Sequence, residues 1–271
     1  MFDKRRSFIL SSIEHEILAI GKELNVAYTK RTTSEGNRPY IVFIHGFGSS
    51  KEFFRFAFHD PSLKDFSLIS LDLIGFGNST KHEKFSYEMS NQSAIMIQVL
   101  NQLDVGSFHL CAHSMGGLVA MEMIDQSPPQ VLSFTNLEGN LTLDDCFVTG
   151  KILDYPFDVF LASGRTEFEQ SLKDFPSYLR EFQKASSIAL HRSAADTVKL
   201  SSNSRLLEDF SNISIKKCYI YGEINKGKFP VEQTLIDNGV PVFYISESDH
   251  EMAEQNPSHL YSTINEFLAT K

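Results

Sequence analysis

Ser114 is the residue whose surroundings most clearly predict chemistry. It stands in "AHSMGG", residues 112–117, between a strand-like run, "FHLC", and a helix-like run, "LVAMEMI". In the G-x-S-x-G pattern, a serine on an abrupt strand-to-helix turn has a strained backbone and an exposed, nucleophilic oxygen. The flanking residues must be small because strand and helix approach closely, and Ala112 replaces the first glycine here. The alternative is an ordinary tight turn that happens to contain a serine.

Two glycine-containing motifs favour the nucleophile. "FIHGFGSS", residues 43–50, follows the third apolar run, and its glycines let the N–H of Phe47 turn toward the serine. Together with the N–H of Met115 it predicts an oxyanion hole, in which one donor is typically worth about 3–4 kcal/mol in the transition state. "DLIGFGNS", residues 72–79, follows the fourth run, and we predict a structural turn there, beside the site.

His250 is the predicted general base. It lies in "SDHEMAEQNP", after the last strand-like run and before the last helical pattern. This is the loop that holds the base when the triad follows the chain order serine, acid, histidine. The other histidines are weaker candidates, because they either belong to the glycine motifs or have no comparable context.

Composition excludes several classes of function. The chain has 271 residues and a formal charge of −9, and it has no basic stripe to neutralise phosphates, so we expect no nucleic-acid partner. No apolar run approaches the roughly 18 residues of a membrane helix, and the N-terminus lacks a signal-like apolar region. We therefore expect no stable membrane insertion and a cytoplasmic location. The three cysteines have no metal spacing and are predicted to be free thiols: Cys111, Cys146 and Cys218.

The elements that must position these residues alternate between strands and helices. Several apolar runs are continuous, as expected for parallel strands covered on both faces. The first two runs are predicted to form an antiparallel hairpin. The eight predicted strands are "HEILAI", "NVAYTK", "YIVFIH", "FSLISLDL", "FHLCAH", "LSFTNLEG", "KCYIYG" and "VFYISES".

Helical patterns separate the later strands. "SYEMSNQSAIMIQVLNQL" places Ile95, Val99 and Leu103 on one face. A second helix should follow Ser114 and stop at the two prolines of 128–129, and a third closes the chain. The pattern predicts an α/β fold with a mostly parallel eight-stranded sheet flanked by helices. Residues 139–205 contain helical, aromatic-rich segments, so we predict a helical lid inserted between core parts 1–138 and 206–271.

In combination, "HGFGSS", "DLIGFGNS", "AHSMGG" and "DHEMAEQNP" resemble the α/β-hydrolase superfamily over essentially the whole chain. The resemblance implies the fold above and a catalytic triad that needs neither a cofactor nor a metal. It indicates the substrate much less specifically.

The triad acid departs from the family pattern. Most members carry an aspartate just after the seventh strand, in a pattern like Y-G-x-x-D, but this chain reads "YGEIN" and has Asn225 there. A neutral amide cannot stabilise an imidazolium, and in a serine protease the equivalent change costs about 10⁴ in rate. Either the protein is a weak catalyst or its acid comes from elsewhere.

A resemblance to haloalkane dehalogenases assigns the acid to Glu138. Some of them place the acid after the sixth strand, and Glu138 lies in "FTNLEGN", 24 positions beyond Ser114. Their chemistry is not expected here, because it needs an aspartate nucleophile, as does that of epoxide hydrolases. Glu138 acting only as a cap remains an alternative, as do an unaided dyad and the acids Glu223, Asp144 and Asp145.

The predicted activity is hydrolysis of a small-molecule carboxylic ester through an acyl-enzyme on Ser114. Phe157 and Phe160 are the candidate substrate-binding residues, although such residues often only pack a lid onto its core. They belong to a set of lid aromatics predicted to line an apolar acyl pocket, which is Phe147, Tyr155, Phe157, Phe160 and Phe168. A thioesterase, lactonase or acyltransferase would use the same triad. A carbon–carbon bond hydrolase usually has asparagine before its serine, where this chain has His113, and a weakly catalytic receptor remains open because of Asn225. The sequence does not indicate an oligomeric state.

Overall fold

The centre of the protein is an eight-stranded sheet, seen in a computed structural model that describes residues 12–33, 39–126 and 130–270. The spatial order is β1-β2-β4-β3-β5-β6-β7-β8, with β2 antiparallel to both neighbours and the remaining pairs parallel. The predicted sheet and entry hairpin are confirmed. The strands are β1 (Ile13–Ile20), β2 (Leu24–Arg31), β3 (Tyr40–Ile44), β4 (Ser67–Leu71), β5 (Phe108–His113), β6 (Val131–Leu137), β7 (Lys216–Gly222) and β8 (Val242–Ile245).

The sequence of each strand reflects its place in the sheet. The central strand β3 is buried along almost its whole length because helices cover both of its faces. Its side chains alternate between two apolar clusters, with Val42 and Ile44 on one face and Ile41 and Phe43 on the other. The first strand, β1, lies at the sheet edge and is mostly exposed, and charged residues such as Glu14 and Glu16 protect that edge from further pairing.

Helices connect the parallel strands. The predicted apolar stripe on the first helix is confirmed at Ile95 and Val99, which are buried, while Leu103 lies partly buried at the C-cap. The two prolines expected to stop the second helix lie outside the described residues. The helices are α1 (Met89–Gln102), α2 (Gly116–Gln126), α3 (Thr149–Leu153), α4 (Phe157–Val159), α5 (Arg165–Ser171), α6 (Pro176–Lys184), α7 (Ser187–Ser201), α8 (Leu206–Asn212), α9 (Pro230–Asp237), α10 (Met252–Gln255) and α11 (Pro257–Ala269).

Helices α3 to α8 follow one another between β6 and β7, with no strand among them, and are called the helical segment here. They lie in the place where the sequence predicts an insertion. A short π-helix, Phe160–Gly164, joins α4 to α5. Asp196 of α7 anchors the segment to the core, since its carboxylate accepts the N–H of Met89 at 2.8 Å at the start of α1. Helical structure continues past residue 205 to Asn212, so the division at 205 stays a prediction.

The three cysteines, Cys111, Cys146 and Cys218, are buried and unpaired, as predicted. The parallel register aligns the carboxyl ends of β3, β5, β6 and β7 on the same side of the sheet. The loops that carry the predicted site residues begin at these carboxyl ends.

Candidate active site

Ser114 occupies the predicted strand-to-helix elbow. It directly follows β5 and precedes α2, and its φ of 52° lies in the left-handed region that residues other than glycine seldom adopt. Two backbone bonds hold it there: its N–H donates to Leu137 O at 2.9 Å, and its carbonyl accepts the N–H of Gly117 at 2.8 Å. The strained backbone conformation of Ser114 is therefore stabilised by a hydrogen bond to the sheet on one side and by one to the helix on the other.

The small residues around Ser114 are required by close backbone contacts. A Cβ on Gly116 would lie 2.6 Å from the carbonyl oxygen of His45, so α2 passes directly over the end of β3. A Cβ on Gly46 would lie 3.0 Å from the Cβ of Ser114. The turn after β3 is thus pressed against the serine, as the two motifs predict.

That turn carries the N–H of Phe47, the first predicted oxyanion donor. It is closed by the N–H of Ser49 donating to Gly46 O at 3.3 Å, and Gly48 has a φ of 65°. Within the described residues, neither the N–H of Phe47 nor that of Met115 donates a hydrogen bond. Met115 immediately precedes α2, whose N-terminal dipole favours negative charge. Both amides remain available to an oxyanion.

The motif at 72–79 ties this region together from the next strand. The Asp72 carboxylate accepts the N–H of Lys51 at 2.6 Å and that of Asn78 at 2.8 Å. A Cβ on Gly77 would lie 2.2 Å from the Asp72 carboxylate, so only glycine allows this closure. The structure gives the motif the structural role that the sequence predicts.

Glu138 lies at the end of β6, next to the elbow strand, and it also has a left-handed backbone, with φ 41°. Its side chain is 5% exposed. The N–H of Gly222, at the end of β7, donates to Glu138 Oε1 at 2.8 Å. On the other oxygen, His250 Nδ1 donates to Glu138 Oε2 at 2.8 Å. The structure therefore brings the predicted acid and the predicted base into direct contact.

Asn225, in the position where the family pattern has its aspartate, also contacts this carboxylate. Its Nδ2 donates to both Glu138 oxygens at 3.0 Å. The asparagine is thus a neutral donor to the acid rather than an acceptor for the base. Sequence reasoning noticed Asn225 only as a departure; its pairing with Glu138 depends on the adjacency of β6 and β7.

The loop that carries His250 is held against the end of β7. A Cβ on Gly222 would lie 2.2 Å from Asp249 O, and the N–H of Ile224 donates to Ser248 O at 3.0 Å. Burial by itself lowers the pKa of His250. The hydrogen bond and negative charge of Glu138, with smaller contributions from Glu251 and Asp249, outweigh it, so the pKa of His250 is raised above its ordinary value of 6.5. The loop thus places the His250 imidazole beside Glu138, which makes it more basic.

His113, directly before the serine, supports the same loop. Its Nε2 donates to His250 O at 2.9 Å, and its ring stacks on Phe53 with centroids 4.2 Å apart. Burial, and then the positive charge of His250, lower the pKa of His113 well below 6.5, so this ring stays neutral. The pattern at 112–117 gives no signal for this supporting role.

Ser114 and His250 line the same cavity, which has a volume of about 330 Å³. The structure contains no hydrogen bond between the two side chains among its described residues; such bonds often tighten only on substrate binding. Apolar side chains from both the core and the helical segment complete the lining, and they are Phe47, Phe147, Val148, Leu172, Phe175, Tyr178 and Phe229.

The prediction that Phe157 and Phe160 line this cavity is wrong. Phe160 is 0% exposed and packs against the ring of His191 at 5.7 Å. Phe157 is 38% exposed and also contacts His191, away from the cavity. Their aromatic character identifies the helical segment correctly, but short helices joined by a π-helix turn these two rings toward α7. Phe147, which belongs to the same predicted set, does line the cavity, together with Leu172, Phe175 and Tyr178. Aromatic density alone does not distinguish these residues from Phe157 and Phe160.

In the described ranges, no group of three or more His, Cys, Asp or Glu side chains is arranged to hold a metal ion. No helix in that part of the chain combines the length and apolar character needed to cross a membrane.

Comparison with known proteins identifies the family. Residues 39–205, more than half of the chain, match a family model described as the alpha/beta hydrolase fold. The chain belongs to the α/β-hydrolase family.

Individual relatives match shorter stretches. "Probable lysophospholipase BODYGUARD 4" of Arabidopsis thaliana is 35% identical over 97 residues, which are 35% of this chain and 23% of that protein. "Uncharacterized hydrolase YugF" of Bacillus subtilis is 38% identical over 92 residues, 34% of this chain and 33% of that one. The chain therefore spans only a quarter to a third of these relatives. Cfl2 of Burkholderia cenocepacia is similar in fold, with a TM-score of 0.74, 19% identity and coverage of 94% and 95% of the two chains.

Proposed function

We propose that this protein is a serine hydrolase that cleaves a carboxylic ester through an acyl-enzyme, with Ser114, His250 and Glu138 as its triad. The observation that carries the proposal is the 2.8 Å bond between His250 Nδ1 and Glu138 Oε2, beside a cavity that Ser114 also lines. This bond fixes the tautomer in which Nε2 is free to accept a proton. The description of a relative as a probable lysophospholipase agrees with ester cleavage.

In the acylation step, Ser114 Oγ attacks the ester carbonyl carbon while its proton passes to His250 Nε2. The negative charge that develops on the carbonyl oxygen is stabilised by the N–H groups of Phe47 and Met115. Collapse of the tetrahedral intermediate breaks the ester C–O bond, and the imidazolium returns the proton to the departing alkoxide. Glu138 stabilises the imidazolium throughout.

Deacylation repeats these steps with water. His250 takes a proton from water as its oxygen attacks the acyl carbon, and the same two amides hold the second oxyanion. The bond to Ser114 Oγ then breaks and the serine recovers its proton. The products are a carboxylic acid and the free enzyme.

The helical segment, placed at 139–205 from the sequence, acts as a lid that shapes the acyl site. It contributes Phe147, Val148, Leu172, Phe175 and Tyr178 to the cavity lining. A largely apolar pocket of this size suits a neutral acyl chain of modest length or an aromatic acyl group.

The test is reaction with a fluorophosphonate, followed by an ester panel of increasing acyl length. We expect covalent labelling at Ser114, located by peptide mass spectrometry, and turnover of at least part of the panel. Ser114→Ala should abolish both, because loss of a triad residue lowers turnover by about 10⁶. Circular dichroism should show that the variant is folded.

Residual turnover of Ser114→Ala within tenfold of the unmodified protein would refute the assignment of the nucleophile. Labelling without turnover of any ester, thioester or lactone would refute hydrolysis and favour a receptor. Product analysis with an added alcohol separates hydrolysis from acyl transfer, since a transferase would give mainly the new ester.

A further inference from the structure

Helix α6 of the helical segment packs directly on the turn that carries Phe47. Gly48 lies beneath it: a Cβ there would meet the Phe182 ring at 2.6 Å and the Tyr178 hydroxyl oxygen at 2.7 Å. The rings of Phe47 and Phe182 are also in edge contact, with centroids 6.3 Å apart. The helix and the turn therefore meet without space for a side chain between them.

Two hydrogen bonds join the helix to the two ends of this turn. The Tyr178 hydroxyl donates to Phe47 O at 2.9 Å, and the Ser50 hydroxyl donates to Glu181 Oε2 at 2.7 Å. Glu181 is itself fixed by Lys184, whose Nζ lies 2.9 Å from both carboxylate oxygens. These contacts bridge about 130 residues of sequence, so the turn depends on the helical segment for its position.

The bond from Tyr178 acts on the peptide next to the proposed oxyanion donor. The carbonyl of Phe47 and its N–H belong to successive peptide planes that share one Cα, so fixing the carbonyl limits rotation of the residue that presents the N–H. Gly48, with φ 65°, gives this turn more backbone freedom than another residue would, so the bond from Tyr178 adds a constraint to the one made by Ser49 N–H and Gly46 O. Burial, with a smaller contribution from the charge of Glu251, raises the pKa of Tyr178, so its phenol remains a donor.

We propose that Tyr178 is a positioning residue for the oxyanion hole: its hydroxyl holds the Phe47 turn so that the Phe47 N–H is aimed at the developing oxyanion. This rests on the function proposed above and extends it to a residue outside the triad. The helical segment thereby contributes to the chemical step as well as to the cavity lining. Its role differs from substrate selection, because the bond is made to the protein backbone.

The test compares Tyr178→Phe with Tyr87→Phe. Tyr87 is a matched control: its hydroxyl also donates to a backbone carbonyl, His82 O, at 2.9 Å, but it lies in the core and does not line the cavity. Both variants lose one hydroxyl and keep the ring. We measure kcat and KM on an ester from the panel, the second-order rate of fluorophosphonate labelling, and the melting temperature.

For Tyr178→Phe we expect kcat and the labelling rate to fall together by about tenfold, with KM within about twofold. A slightly misplaced oxyanion donor weakens stabilisation of the transition state but leaves binding of the substrate unchanged. Tyr87→Phe should keep all three kinetic values while showing a comparable loss of melting temperature. If Tyr178→Phe does not fold, Ser50→Ala carries the test, since it removes the second bond of the same contact. It also removes the bond that Ser50 Oγ accepts from the N–H of Glu52 at 3.2 Å, so its melting temperature is measured as well, and a fall of kcat at unchanged KM is expected.

Unchanged kcat and labelling rate in a folded Tyr178→Phe, or in Ser50→Ala where that variant replaces it, would overturn the proposal. An equal loss of activity in Tyr87→Phe would also overturn it, because the effect would then be general destabilisation. These results differ from failure of the proposed function, in which the unmodified protein itself neither labels at Ser114 nor hydrolyses any ester.

Discussion

At the scale of single residues, Ser114 and Glu138 share an unusual backbone. Both follow the last residue of a strand, on the adjacent strands β5 and β6, and both have positive φ values of 52° and 41°. Each such residue costs about 1–3 kcal/mol and persists only where its surroundings over-determine it. Here the N–H of each donates to the next strand, to Leu137 O and Ile220 O. Hydrogen bonds within the sheet therefore maintain the strained backbone conformation at the carboxyl ends of β5 and β6, where Ser114 and Glu138 lie.

The first prediction concerns the acid. Glu138→Gln keeps the size of the side chain but removes the charge that stabilises the imidazolium, so turnover should fall by about 10³ to 10⁴. Steady-state kinetics on the best ester, with fluorophosphonate labelling as a second readout, measures this. Turnover equal to that of the unmodified protein would eliminate Glu138 as the acid.

Asn225→Asp provides the matched control for that prediction. Alone, it replaces a donor 3.0 Å from both Glu138 oxygens with a second carboxylate, so we expect a loss of activity from repulsion between like charges. Combined with Glu138→Gln, it places a carboxylate in the position the family commonly uses, and it should restore part of the lost rate. A double variant no better than Glu138→Gln alone would show that the loop cannot carry an acid.

The second prediction concerns pH. His250 must be neutral to accept the serine proton, so kcat/KM falls as pH drops through its pKa. Because Glu138 raises that pKa, the unmodified protein should lose activity at a higher pH than an ordinary histidine would give. Glu138→Gln should move the midpoint of the acid limb to lower pH, since burial alone lowers the pKa. A pH profile of kcat/KM for both proteins measures the shift.

The titration of Glu251 must be distinguished from that of His250 in this pH profile. Burial raises the pKa of Glu251 to about 7, and this residue lines the same cavity. In Glu251→Gln the acid limb assigned to His250 should persist, with its midpoint slightly lower because one nearby negative charge is gone. An acid limb that disappears in Glu251→Gln would reassign the titration to Glu251.

At the scale of elements, the sheet and its loops could be predicted from sequence and the packing of the helical segment could not. Continuous apolar runs and glycine turns are local signals, and they located all eight strands, the elbow and the histidine loop. The aromatic residues of 139–205 carry no comparable signal, because their orientation depends on how short helices pack on one another. The sequence therefore does not indicate that Phe157 and Phe160 lie outside the cavity, nor that Asn225 is a partner of Glu138.

The third prediction follows from this packing. Phe175→Ala removes a ring that lines the cavity, so it should change the preference for acyl chain length by about tenfold while acetate ester hydrolysis stays near normal. Phe157→Ala is the matched control, because its partly exposed ring lies outside the cavity, and its preference should be unchanged. Ratios of kcat/KM across the ester panel measure the effect. A shift in Phe157→Ala equal to that in Phe175→Ala would contradict the cavity assignment.

At the scale of the whole molecule, the charge of the chain and the charge of the cavity have the same sign. The formal net charge is −9, and the described cavity lining includes Asp145, Asp249 and Glu251 but neither lysine nor arginine. The Asp145 carboxylate is already occupied, since it accepts the N–H groups of Leu141 and Thr142. The Glu251 carboxylate has no hydrogen-bond partner among the described residues, and it is the group best placed to act on the charge of a substrate.

The last prediction is that the protein discriminates against anionic esters. At low ionic strength and at a pH above about 7, where Glu251 is ionised, a monoester of a dicarboxylic acid should be cleaved with a kcat/KM about tenfold below that of its neutral isostere, because both the approach and the bound state bring like charges together. The ratio should shrink as salt is added. Glu251→Gln should also reduce it, whereas Glu266→Gln, which removes an exposed charge on α11, should leave it unchanged. Comparing two substrates on one protein cancels any change in the catalytic step that is common to both. Equal kcat/KM values for the two esters, or a preference for the anion, would show that the carboxylates at the cavity do not set substrate charge.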